Sequence, residues 1–189
     1  MASTTDFRNG LVIKMDGELF TIVYFQHVKP GKGGAFVRTK LKNVKTGRVL
    51  DRTFRSGEKV EDVRLEHKKV QYLYNDGDQF VFMDTNSYEQ IFVEKDNVGD
   101  SSKFLIESME VEILMHGTKA LGIELPIFVI LKITDTDPGV RGDTASGGSK
   151  PATLESGAVI QVPLFIEEGE TVKVDTRTGD YVERVKNTG

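Results

Sequence analysis

The chain has 189 residues, with 25 Lys/Arg against 29 Asp/Glu, 38% hydrophobic residues and no cysteine, a size that allows one large domain or two to three small ones. The absence of cysteine excludes disulfide frameworks, thiolate zinc sites and cysteine nucleophiles, and His27, His67 and His116 have no H-E-x-x-H spacing. The longest apolar stretch, around Leu125–Ile133, is broken by Pro126 and Lys132 and falls short of the roughly 18 residues of a membrane span.

The N-terminus, Met-Ala-Ser-Thr-Thr-Asp, has neither the basic nor the apolar region of a signal peptide. A soluble, cytoplasmic protein without membrane contact is therefore expected. The overall charge of −4 hides an asymmetry. Residues 1–65 carry 13 Lys/Arg against 7 Asp/Glu, residues 66–128 carry 5 against 12, and residues 129–189 carry 7 against 10. A basic block followed by two acidic ones points to separate folding units, with the basic unit facing a polyanion.

In chain order, the patterning is mostly of period two and rich in β-branched and aromatic residues. The strand-like runs are Glu18–Val28, Ala35–Val44, Val49–Arg55, Lys69–Tyr74, Gln79–Met83, Val111–Met115, Phe128–Thr134, Val159–Phe165 and Thr171–Asp175. Asp16-Gly17, Thr46-Gly47, Asp76-Gly77 and Thr178-Gly179 mark turns between them. A turn is expected near Asn86–Gln90, and a short helix over Lys103–Ser108 with caps at Asp100-Ser101-Ser102. The aromatics fall at alternating strand positions and are assigned to the core. Asp16-Gly17-Glu18-Leu19-Phe20 is echoed by Asp76-Gly77-Asp78-Gln79-Phe80. The two turns lie 60 residues apart, the size of a small β-barrel, so three barrels are predicted over 1–65, 66–128 and 129–189.

The stretch Lys29-Pro30-Gly31-Lys32-Gly33-Gly34 lies between two predicted strands and reads as a hairpin tip. Pro30 fixes the entry, and the three glycines permit φ > 0 and offer no side chains. Lys32 is then the one long side chain projecting beyond Pro30. It is either a solvated turn lysine or a cationic probe for a narrow site, open to enzymatic modification. On the outgoing strand Arg38, Lys40 and Lys42 alternate with Val37, Thr39 and Leu41, so three cations share one face. Such a row is either a solvated strand face or a contact for a phosphate backbone.

The Gly-rich run Pro138 to Pro151 contains Gly142 and Gly147 in a G-x-x-x-x-G spacing. It lacks the following Lys-Ser/Thr and the helix of a nucleotide-binding loop. It reads as a flexible connection between barrel strands or as a loop touching RNA through Arg141, Thr144 and backbone amides. Paired acids such as Glu61-Asp62 and Glu167-Glu168 make no catalytic dyad, and no nucleophile elbow or triad spacing occurs. No enzyme is expected.

Lys29-Pro30-Gly31-Lys32-Gly33, Gln71-Tyr72-Leu73-Tyr74, Gly142 to Glu155 (GDTASGGSKPATLE), Val162-Pro163-Leu164-Phe165 and Asp175 to Val182 (DTRTGDYV), in that order, resemble bacterial elongation factor P over essentially the whole chain. The resemblance implies an SH3-like barrel and two OB-fold barrels in an L-shaped, tRNA-like arrangement. It implies a translation factor that binds the ribosome, its rRNA and its proteins, beside peptidyl-tRNA and promotes peptide-bond formation at consecutive prolines. Lys32 matches the modified tip that approaches the peptidyl-tRNA acceptor end, with Arg38, Lys40 and Lys42 facing tRNA. Gly142-Asp143-Thr144 matches a segment near the exit-site codon of the mRNA. No bound cofactor is implied. Lys32 is extended in such proteins by β-lysine or an aminopentanol group, through a lysine-modifying enzyme, or is left bare. Lys32 argues against the arginine-bearing glycosylated branch. No oligomerisation signal is legible, and a monomer is expected. A generic single-stranded RNA-binding OB-fold protein and a Schiff-base enzyme using Lys32 are the rival readings.

Overall fold

The expected all-β architecture is what a computed structural model contains over the residues it describes, 1–139 and 148–186. Every strand among the described residues falls in one of three sheets. The first comprises β1 (Ala2–Ser3), β2 (Val12–Met15), β3 (Glu18–Val28), β4 (Phe36–Asn43), β5 (Val49–Arg55) and β6 (Lys59–Asp62), in the order β1-β6-β2-β3-β4-β5. The second comprises β7 (Glu66–Asn75), β8 (Gln79–Asp84), β9 (Gln90–Glu94), β10 (Glu110–His116) and β11 (Lys119–Glu124), ordered β11-β10-β7-β8-β9. The third comprises β12 (Phe128–Thr136), β13 (Ser149–Leu154), β14 (Val159–Pro163), β15 (Thr171–Asp175) and β16 (Asp180–Val185), ordered β14-β13-β12-β15-β16. By compactness the chain forms two units, one of Met1–His67 with Leu114–Leu121, the other of Lys68–Ile113 with the chain from Gly122 onward.

Local chemistry sets the strand ends. Asp16 and Gly17 both have positive φ, at 53° and 79°, the two-residue turn whose twist matches an antiparallel hairpin. It pairs Met15 with Glu18. At the end of β4 the Asn43 side chain accepts hydrogen bonds from the Lys45 and Thr46 amides at 2.8 and 3.0 Å, closing the turn into β5. Asp84 repeats the device between β8 and β9, accepting from the amides of Asn86 and Ser87 at 2.8 and 3.1 Å. Those two amides favour the ionised carboxylate and hold Asp84 below the usual carboxylate range.

Several short strands, β2, β6, β9, β11, β13 and β16, have no counterpart among the predicted runs. Each is four to six residues long. β13 also holds Pro151. Its pairing with β12 begins only at Ala152, and Pro151 contributes a carbonyl that accepts from the Thr136 hydroxyl at 2.8 Å. The missing N–H therefore leaves no gap in that ladder.

The predicted helix over Lys103–Ser108 is a correction. Helix instead runs from Lys95 to Val98 and continues as a 3₁₀ segment over Gly99–Phe104. Asp100, Ser101 and Ser102 thus lie inside the helical turns rather than capping them. Helix cannot continue past Phe104 because sheet pairing claims the backbone. The Tyr72 amide donates to the Met109 carbonyl and the Ser108 amide donates to the Tyr72 carbonyl, each at 2.8 Å. Val98, Phe104 and Leu105 are buried by this route.

The first unit packs Phe7, Ile13, Phe20, Ile22, Val37, Leu41 and Phe54 into one core, with Phe7 edge-on to Phe54 at 5.3 Å. In the second unit Phe104 joins Leu131, Ile133, Leu154, Ile160, Ile166 and Val172 in another. The assignment of the aromatics to the core fails in places. Tyr24, Tyr74, Tyr88, Phe92, Phe128 and Phe165 are exposed, on outward strand faces or in turns that period two alone cannot separate from inward ones.

Candidate nucleic-acid interface

β3 is eleven residues long, and its buried positions, Phe20 and Ile22, lie in its first half, with Phe25 beyond them packed only partly against the same core. From Val23 to Phe36, spanning the rest of β3 and the turn into β4, no side chain is fully buried. The strands stay paired up to Val28 opposite Phe36, so backbone hydrogen bonds carry the hairpin beyond the core that anchors its base. The tip is Lys29 to Gly34, with every residue exposed. Lys32 has no hydrogen bond or ion pair among the described residues. Its ammonium is free to meet a ligand.

The three tip glycines are not equivalent. Gly33 has φ +99°, a conformation that a side chain strains. Gly31 and Gly34 have no such φ, and a Cβ on either would meet open space. Of the three glycines that permit φ > 0, Gly33 alone adopts it. The fold requires Gly33, and the other two leave the tip narrow without stabilising it.

β4 alternates as predicted, with Val37, Thr39, Leu41 and Asn43 buried and Arg38, Lys40 and Lys42 exposed. Buried Thr39 is satisfied by donating its hydroxyl to the Arg52 carbonyl at 2.7 Å. Across the outward face the register sets Gln26, Arg38 and Thr53 in one row, Tyr24, Lys40 and Asp51 in the next, and Thr21, Lys42 and Val49 in a third. Arg38 lies over the Phe36 ring, 5.5 Å from its centroid. Asp51 is the one acid among these positions. Lys32 and the cationic strand therefore belong to a single hairpin and can engage one polyanion together.

Arg141, Gly142, Asp143 and Thr144, the other expected RNA contacts, lie outside the described residues. The flanks of that segment are built on Leu164. A Cβ at Gly139 would sit 2.5 Å from the Leu164 carbonyl oxygen, and one at Gly148 would sit 3.3 Å from its side chain. The buried Lys150 ammonium donates to the Asp137 carbonyl, tying β13 to the end of β12.

Two residues of the cationic face escaped sequence reasoning, Tyr24 and Gln26. A β-bulge lies between Ile22 and Tyr24, and a one-residue insertion in a ladder has no signature in period-two patterning.

Three small antiparallel sheets, with a lysine-tipped cationic hairpin on the first, define an all-β protein with a polyanion-facing finger. Three family models match in order: the elongation factor P KOW-like domain over residues 3–60, the elongation factor P OB domain over 65–123 and the elongation factor P C-terminal domain over 129–184. Elongation factor P of Moorella thermoacetica is 56% identical over 97% of this chain and 100% of its own length. That of Corynebacterium aurimucosum is 58% identical over 99% and 100%. The chain belongs to the elongation factor P family, whose members are translation elongation factors and not enzymes. In fold it is also similar to the eukaryotic translation initiation factor 5A from Methanococcus jannaschii, with TM-score 0.50 and 24% identity over 66% of this chain and 90% of that one. An initiation factor 5A family protein from Naegleria fowleri gives TM-score 0.53 and 12% identity, covering 66% of this chain and 96% of that one. No helix among the described residues is long and apolar enough to cross a membrane.

Proposed function

We propose that the protein binds the ribosome beside peptidyl-tRNA and speeds peptide-bond formation at consecutive prolines. It does so by holding the peptidyl-tRNA acceptor end through Lys32, as a monomer acting in the cytoplasm. The observation that carries this reading is the bare Lys32 at the end of a paired hairpin, flanked by residues without bulky side chains and backed by Arg38, Lys40 and Lys42 on one face. Such a finger enters a slot too narrow for an ordinary loop. The cationic face meanwhile lies along a phosphate backbone.

The chemistry asked of it is modest. Proline is ring-constrained at φ, so a prolyl donor and acceptor reach attack geometry rarely. A factor that restrains the acceptor end lowers the entropic part of that barrier and leaves the bond-making to the ribosome. The exposed tip lysine is accessible to a modifying enzyme. Extension by a β-lysyl or aminopentanol group would lengthen its reach and keep or add donors. Gly142, Asp143 and Thr144 are assigned to the exit-site codon by family likeness, with Arg141 beside them as a further RNA contact.

The test is a purified bacterial translation reaction on a Pro-Pro-Pro reporter, given no factor, the natively expressed protein or Lys32→Ala. Full-length product restored by the native protein and not by the variant is the expected result, with unchanged Tm because Lys32 packs on nothing. Restoration by neither, where an elongation factor P control works, replaces this reading with a single-stranded RNA-binding protein. Mass spectrometry of the Lys32 peptide reports the modification in the same preparation.

A further inference from the structure

Tyr24 is on the wrong face for a regular strand. Ile22 is fully buried and pairs with Leu41 in the core, and a period of two would place Tyr24 beside it. The bulge at Val23 reverses the parity, so that Tyr24 pairs with Lys40 on the outward, cationic face and is 46% exposed. Bulges of this kind re-aim side chains next to functional sites. The phenol donates to Gln26 Oε1 at 3.3 Å, which keeps the ring along the strand. Phe25 and His27 turn the other way and meet edge to face at 5.9 Å.

Directly opposed residues in an antiparallel pair have Cβ atoms about 5 Å apart. Tyr24 and Lys40 thus leave the sheet from neighbouring positions on one face, an aromatic ring and a cation within reach of one ligand. One nucleotide presents the matching pair, a base and a phosphate joined through a ribose. A base inside a duplex is stacked on both faces, whereas an unpaired one stacks on a tyrosine whatever its identity. We propose that Tyr24 is a stacking contact for an unpaired RNA nucleotide whose phosphate is held by Lys40. This rests on the reading that the hairpin face meets RNA, and it adds a recognition element that cations alone do not supply. Arg38 lies over Phe36, so Lys40 is the cation placed to share a nucleotide with Tyr24.

The test measures binding of the full chain to bacterial ribosomes carrying initiator tRNA in the peptidyl site, over a salt series. Tyr24→Phe is expected to bind within about twofold of wild type, and Tyr24→Leu to lose roughly tenfold with an unchanged salt slope. Lys40→Gln is expected to lower the slope by about one. The chain has no tryptophan, so Tyr24→Trp adds one fluorophore, read as the emission in excess of the matched wild-type complex, that is quenched when a base stacks on it. Wild-type affinity for Tyr24→Leu, equal losses for Tyr24→Phe and Tyr24→Leu, or unquenched emission from the Tyr24→Trp variant on bound ribosomes would each overturn the proposal. The function proposed above still stands in those cases if Lys32→Ala fails on the proline reporter. Failure of wild type to bind tRNA-loaded ribosomes removes both.

Discussion

At the scale of single residues, the tip separates what the fold needs from what a ligand needs. Gly33→Ala forces a Cβ onto φ +99° and is expected to cost about 1–2 kcal/mol. Gly31→Ala and Gly34→Ala meet open space without a strained φ and should change stability by less than about 0.5 kcal/mol. Urea denaturation of the three variants checks this directly. If Gly31→Ala and Gly34→Ala melt like wild type yet restore less Pro-Pro-Pro product, the narrowness of the tip serves the partner and not the barrel. Such a pairing of neutral stability with lost activity is the signature of a surface shaped from outside.

At the scale of elements, short polar side chains hold the turns and give stability a pH dependence. Asp84 accepts two backbone amides and is held below the usual carboxylate range. Asp175 is lowered likewise, first by the Arg177 guanidinium at 2.8 Å and then by the Arg177 amide. A depressed pKa in the folded state means stability that is complete above the unfolded value, near pH 4, and lost as the pH falls through the folded one. Chemical denaturation between pH 6 and pH 2 is expected to show this loss. Asp84→Asn, which keeps the acceptor and removes the charge, should flatten its share of the slope. An unchanged slope in that variant would mean the turn is held by Tyr88, whose amide also reaches the Asp84 carbonyl at 2.9 Å. The β3 bulge belongs to this scale too. One extra residue carries no charge or hydropathy signal, yet it decides which half of a hairpin faces the core.

At the scale of the whole molecule, Phe104 illustrates how a linking segment becomes structural. It comes from the 3₁₀ segment between β9 and β10 and is buried with Leu131, Ile133 and Ile160. Phe104→Ala is expected to cost about 3–5 kcal/mol. Amide exchange should lose protection across β12 to β15 while Ile13 to Phe54 in the first unit keep theirs. Uniform loss in both units would show that they unfold as one. The charge division acts at the same scale. The block of residues 1–65, with 13 Lys/Arg against 7 Asp/Glu, holds the described cationic face, so polyanion binding is expected to fall with salt.

The sequence by itself determined the β class, the cationic row on β4 and the lysine at a glycine-flanked turn. Each is written in local alternation or in residue types with a narrow conformational range. The family was legible for a related reason, since Lys29 to Gly33 and Asp175 to Val182 span turns where backbone geometry admits few residues. Tertiary structure alone decided the rest. Whether Lys103–Ser108 would be helix depended on Tyr72, some thirty residues away, taking up the backbone of Ser108 and Met109. Whether Tyr24 faced core or solvent depended on a register shift against β4. Which glycine the tip required depended on one φ angle. Hydrogen bonds between distant strands and the parity of a ladder are properties of paired chains, and a single strand read alone does not contain them.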